Sequence, residues 1–235
     1  VRAGDEGLRR QLDLVAHHSD FRALLATFVL QALATGAMLA GVDYVARHVL
    51  HDPGAGSILF VCFVGPALVC TPAWQRLARG LGKKGGYAVA TVLFAAGAVL
   101  LVAARSLPTA LVFLAVALVG IGYAGAQLFP LAMLPDVAAE DARRSGENRV
   151  GVFTGVWTAG ETLGMALGPF VYGLVLAAGG YISSTGSDAA QPDSAVTAIT
   201  LGFSAVPAVL VLLSLLLLRG YGSLPRGNAI HGPGT

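Results

Sequence analysis

Apolar residues in this chain fall into long, nearly uninterrupted runs. Six of them follow one another, at 21–46, 57–77, 87–104, 109–134, 149–178 and 196–218. A helix needs about 20 mostly apolar residues to cross a hydrocarbon core about 30 Å thick. Each run is near that length or longer. None shows a strong 3.6-residue alternation of polar and apolar faces, as expected of helices that meet both lipid and other helices. Open sheets cannot cross a bilayer, because their edge hydrogen bonds would be left unpaired. The pattern therefore predicts an all-α membrane protein with six transmembrane helices. Residues 1–20 read as a cytoplasmic N-terminal segment, 21–218 as the transmembrane domain, and 219–235 as a cytoplasmic, disordered tail rich in Gly and Pro.

Composition strengthens this. Of the 235 residues, 55% are hydrophobic and 12% charged, and the mean hydropathy is +0.72. A soluble domain carries about 25% charged residues, so much of the surface must face lipid. The two cysteines, Cys62 and Cys70, share one apolar run and read as small packing residues. The first 20 residues lack the apolar core of a signal peptide. The chain opens on Val1 rather than Met, as expected of a fragment or an alternative start.

The basic residues set the expected orientation. With the N-terminus inside, 13 fall on the cytoplasmic side: Arg2, Arg9, Arg10, Arg22, Arg76, Arg79, Lys83, Lys84, Arg143, Arg144, Arg149, Arg219 and Arg226. Only Arg47 and Arg105 fall outside. That asymmetry predicts a multi-pass protein of the cell membrane with both termini in the cytoplasm.

Motifs for soluble chemistry fail on context. Gly120-x-Gly122-x-x-Gly125 has the spacing of a dinucleotide fingerprint but lies inside an apolar run, where small residues serve close helix packing or local flexibility. RGLGKKG, around Lys83, lacks the spacing and the Ser or Thr of a phosphate loop. No zinc spacing and no nucleophile–base–acid set is present. No cofactor, metal, nucleic-acid partner or enzymatic activity is predicted.

Ionisable and amide groups inside the runs are the candidates for function. Glu161 lies 12 residues past Arg149, roughly 18 Å along a helix and near the middle of the membrane. It can bind a cationic group, carry a proton, pair with a base elsewhere, or serve as a structural acid. Trp157 precedes it by one turn and is expected on its face. Gln31 and Gln127 can bind a solute or join helices. Asp43 and Arg47 are spaced as an i, i+4 pair and suit an outer gate. Asp136, Arg143, Arg144 and Arg149 surround the inner end and suit an inner gate.

Two stretches carry a family resemblance. PAWQRLARGLGKKGGY, with Gly82 before Lys83 and Lys84, resembles the short basic turn between paired helices of the major facilitator superfamily. Arg79 stands near the place of that motif's acid. LPDVAAEDARRSGENRVGVFTGVWTAGETLGMALG, at 134–168, resembles the melibiose-permease-like branch, the glycoside–pentoside–hexuronide:cation symporters. The matching residues are Asp136, the Glu140–Asp141 pair, the turn to Arg149, the Gly151 and Gly155 region, and Leu163-Gly164-x-Ala166-Leu167-Gly168. Many members have a lysine just before that last run; here Thr162 stands there, and Glu161 precedes it.

The resemblance implies the C-terminal six-helix half of a major facilitator carrier. Its partners would be the lipid bilayer, a small-molecule solute, a coupling cation (proton or sodium) and a second six-helix half. It further implies secondary active transport by alternating access. The competing expectation is a six-helix subunit or truncated remnant that acts only through assembly with a partner.

Overall fold

The computed structural model describes Asp13, residues 17–183 and residues 190–222. Most of the expected N-terminal segment, the tail beyond Gly222 and part of the loop before residue 190 lie outside the described residues. The helices are α1 (Ser19–His48), α2 (Ala55–Leu100), α3 (Thr109–Ser145), α4 (Val150–Ala178), α5 (Asp193–Phe203) and α6 (Ala205–Arg219). A single 3-10 turn, Leu101–Ala103, follows α2. Among the described residues there is no strand. Five helical stretches are long and apolar enough to cross a membrane, α2 being counted with its 3-10 turn and α5 with α6.

The second of these stretches, Ala55–Ala103, has 49 residues. Laid straight it would span roughly 74 Å at 1.5 Å per residue, more than twice a hydrocarbon core. It is not straight. Gly82, at φ 72° and ψ 169°, leaves helical geometry in a region open to glycine. The chain doubles back there. Phe63, before the break, packs on Gly120 of α3, and Phe94, after it, packs on Gly122. Trp74 and Ala90 meet at Gly125, where an added Cβ would lie 2.6 Å from Ala90 Cβ and 2.8 Å from Trp74 Cε2. The three glycines of the rejected dinucleotide motif thus seat both arms of α2 against α3.

Two boundaries differ from expectation. The basic connection around Lys83 was expected as a loop of several residues, but helix runs to both sides of Gly82. The charged stretch after Leu134 was expected as a turn, but α3 continues through Pro135 to Ser145. Alanines at 138, 139 and 142 favour helix there. Glu140 braces the last turns by pairing with Arg143 at 2.5 Å and Arg144 at 2.8 Å. The helix stops at Gly146, which takes the left-handed conformation of a C-cap. The final apolar run is divided at Ser204. Pro207 cannot donate to the carbonyl four residues back and crowds it, and the Ser204 hydroxyl bonds Thr200 O at 2.6 Å.

A second glycine row holds α4 against α1. Gly160, Gly164 and Gly168 recur every turn and face α1. A Cβ on Gly164 would come within 2.8 Å of Val29 O, and one on Gly168 within 2.5 Å of Ala37 N. Phe153, Trp157 and Tyr172 continue the same seam and are buried. The rest of α4 exposes Leu163, Leu167, Phe170 and Leu174.

Gly168→Ala is expected to destabilise the protein by about 1–3 kcal/mol, because two backbones must part. Gly173→Ala is the control, since nothing lies within 4 Å of its Cβ position. It should be neutral or gain up to about 1 kcal/mol of helix propensity. Thermal unfolding in one detergent compares the two.

Candidate functional site

The glycine seams leave a small cavity between α1, α3 and α4, its accessible surface mostly apolar although several polar side chains border it. Gln31 and Thr35 reach it from α1, Tyr123 and Gln127 from α3, and Glu161 and Met165 from α4. Phe94 closes one side, and the cavity volume is about 10 Å³, room for about one water. Three of the four predicted path residues therefore share one cavity. Trp157 does not line it.

Gln31 is 5% exposed and sits in a network of fixed polarity. Its Nε2 donates to Thr91 Oγ1 and to Ser214 Oγ, both at 3.0 Å. The Thr91 hydroxyl hydrogen goes to Tyr87 O at 2.8 Å, and the Ser214 hydrogen to Val211 O at 2.7 Å. Both hydroxyls can therefore only accept from Gln31, so the amide nitrogen must face them. Tyr87 Oη then donates to Gln31 Oε1 at 2.9 Å. One side chain thus links α1, the second arm of α2, and α6. Thr35 Oγ1 gives its hydrogen to Gln31 O at 2.9 Å. Both amide hydrogens of Gln31 and the hydroxyl hydrogen of Thr35 are thereby occupied, and toward the cavity these side chains can only accept.

On α3, Gln127 Nε2 donates to Tyr123 Oη at 3.0 Å. On α4, Glu161 makes no hydrogen bond or ion pair among the described residues. It is thus a half-buried carboxyl inside an apolar helix that borders the cavity with Gln31 and Gln127. Among the described residues no three His, Cys, Asp or Glu side chains come together as a metal site.

Trp157 is 2% exposed and lies on Phe28 of α1, with ring centroids 4.4 Å apart and planes 24° from parallel. Phe28 is three residues before Gln31, and Trp157 four before Glu161. The stacked pair therefore sits one helical turn from the polar level, on the side toward the starts of both helices.

Ion pairs divide between the two ends of the bundle. At the end holding Gly82, Lys83 Nζ meets Asp136 Oδ2 at 2.5 Å and Ala132 O at 2.9 Å. Lys84 Nζ donates to Arg219 O at 3.3 Å and also to Tyr221 O. Two adjacent lysines thus tie the α2 reversal to α3 and to the carbonyl end of α6, where a cation is favoured by the helix dipole. Gly222 N donates to Asp20 Oδ1 at 3.0 Å, joining that end to α1. Asp136 thus pairs with Lys83. The three nearby arginines have other acids: Arg143 and Arg144 take Glu140, while Arg149 takes Asp141 at 3.3 Å and Glu147 at 2.9 Å.

At the opposite end Asp43 and Arg47 pair at 2.8 Å. Arg105 pairs with Asp193 and donates to Thr197 Oγ1 at 3.0 Å, fastening the α2–α3 turn to α5. Arg105–Asp193, Tyr123, Thr35 and the partners of Gln31 are not among the residues expected from the sequence. Thr35 and Tyr123 each lie four residues from a named glutamine, a signal that was present. The partners Tyr87, Thr91 and Ser214 carry no local signal, being at least 56 residues away.

Residues 2–222 match the family described as MFS/sugar transport protein. The chain is also similar to "Uncharacterized symporter sll1374" of Synechocystis sp. (strain ATCC 27184 / PCC 6803 / Kazusa), with 29% identity over 228 residues. That alignment covers 95% of this chain and 41% of the relative, so the chain spans about two fifths of the relative's length.

Gln31→Leu is expected to cost about 1–3 kcal/mol, because it strips the acceptor from the buried Tyr87 hydroxyl. Adding Tyr87→Phe should recover about half of that loss, since the orphaned group goes with it. Thermal unfolding of the two single variants and the double variant gives the coupling.

Proposed function

The chain belongs to the MFS/sugar transport protein family, and on that premise we propose that it is the C-terminal six-helix half of an alternating-access carrier that moves a small solute together with a cation. Membership in that family supports a transporter rather than an enzyme. The observation that carries the proposal is the convergence of Gln31, Gln127 and Glu161 from three helices on one cavity inside an apolar bundle. Ionisable groups at that depth are costly unless they face protein partners, water or cargo.

Six crossings follow if the two arms of α2 each cross once, and the reversal at Gly82 supports that count. With both termini in the cytoplasm, Lys83–Asp136 and the Lys84 contacts form the inner latch. Arg143, Arg144 and Arg149 brace it through Glu140, Asp141 and Glu147. Asp43–Arg47 and Arg105–Asp193 lie at the outer end and serve as the outer contacts. Trp157 on Phe28 forms the apolar floor of the path, between the cavity and the latch. The bare apolar stripe of α4 supports a second six-helix half that would complete the cavity. The shorter coverage of the relative agrees with that arrangement. The setting proposed is the cell membrane.

Full-length protein in proteoliposomes, tested with a panel of radiolabelled sugars under an imposed sodium or proton gradient, should accumulate one of them. Glu161→Gln and Gln127→Ala should slow uptake about tenfold or more, as expected when roughly 1.4 kcal/mol of contact is lost, with the unfolding temperature unchanged. Uptake equal to the parent in both variants would contradict the assignment of the path.

A further inference from the structure

The acids around the reversal at Gly82 are already taken: Asp136 by Lys83, Glu140 by Arg143 and Arg144, Asp141 and Glu147 by Arg149. Arg76 and Arg79 are left over. They lie in the last turns of the first arm of α2, both exposed, and neither guanidinium has a hydrogen bond or ion pair among the described residues. Residues three apart share a helix face. At about 100° per residue, Val61, Leu68 and Val69 fall on that same face. Leu68 and Val69 are 76% and 78% exposed, while Phe63 and Trp74, on the opposite face, are buried against α3.

An apolar strip thus runs along this arm and ends in two unpaired cations. Val69 to Arg79 is roughly 15 Å of helix, half of a hydrocarbon core about 30 Å thick. That is the depth one leaflet gives to an acyl chain. Arginine at the end of such a strip lays its methylenes on apolar surface and lifts its head to headgroup level. The planar N–H fork then matches phosphate oxygens. We propose that this face binds one anionic phospholipid, with its phosphate on Arg76 and Arg79 and its acyl chain along Val69, Leu68 and Val61. Charge selects that occupant. A protein helix would have to bring acids to both guanidiniums, whereas anionic lipids of the cytoplasmic leaflet supply the charge. Arg22 and Arg219 are also unpaired at this end, but they sit singly on α1 and α6 and offer no such pair of forks. The inference goes beyond the transport reading and takes only its orientation from it.

Native mass spectrometry of the full-length protein in mild detergent tests this. Phosphatidylglycerol and phosphatidylcholine with identical acyl chains are added separately, and the affinity of the first lipid bound is measured. The parent should bind phosphatidylglycerol about tenfold or more tightly, as expected when two arginines each gain a surface anion. Arg76→Gln combined with Arg79→Gln should abolish that preference. Arg22→Gln combined with Arg219→Gln removes the same charge and should keep it. Glycerol phosphate, which has the headgroup chemistry without the chain, should not displace the lipid at equal concentration. Equal affinity for the two lipids in the parent overturns the inference, as does a preference that survives in the Arg76/Arg79 variant. A loss as large in the Arg22/Arg219 variant overturns it too, since diffuse charge would then suffice. Displacement by glycerol phosphate assigns the two arginines to a free phosphate and overturns the lipid site. None of these readings requires transport, so failure of solute uptake with lipid preference intact would leave the site standing.

Discussion

Helices in lipid gain little from the hydrophobic effect when they associate, because the surrounding chains are as apolar as they are. Close backbone contact has to supply the attraction, and in this protein glycine supplies the contact. One row, Gly120, Gly122 and Gly125, seats both arms of α2 on α3. The other, Gly160, Gly164 and Gly168, seats α4 on α1. The cavity residues of α3 and α4 are placed by these two seams. The first fixes which face of α3 carries Tyr123 and Gln127. The second puts Trp157 inside the α1 contact and leaves Glu161, one residue past Gly160, at its edge.

Polar groups obey a companion rule. Within an apolar bundle a hydroxyl or amide hydrogen without an acceptor is costly. The buried hydroxyls of Thr27, Thr35, Thr91, Thr200, Ser204 and Ser214 all donate to backbone carbonyls of their own helices. These bonds cost no tertiary contact, yet at Thr91 and Ser214 they have a long-range consequence. They leave acceptors only, and so dictate the orientation of Gln31 on another helix.

Much of the architecture was legible in sequence because it depends on run length. Apolar runs marked the helices, and of the two readings of the glycines at 120, 122 and 125, packing or flexibility, close packing is what they serve. Boundaries were less legible where charge and helix coincide. Residues 136–145 look like a turn by polarity but form helix, because alanine and the Glu140 pairs outweigh it. Gly82 reverses the chain alone, where composition suggested a loop. Trp157 was expected beside Glu161 because four residues make one turn. Four residues turn a helix through about 400°, and that small offset suffices when the α1 seam is narrow: one side chain falls inside and the other at the rim. The partners of Gln31 come from helices remote in sequence, so no spacing rule could reveal them.

Glu161 borders the cavity between α1, α3 and α4 while Trp157, one turn away, is sealed against α1. Thiol labelling reads this directly. Cysteines are placed one at a time by Glu161→Cys and Trp157→Cys, in a background where Cys62 and Cys70 are replaced by serine. Both are then exposed to a charged, membrane-impermeant methanethiosulfonate. Modification is expected at position 161, slowed by bound solute, and almost none at 157. Faster labelling at 157 than at 161, or equal rates at both, would contradict it.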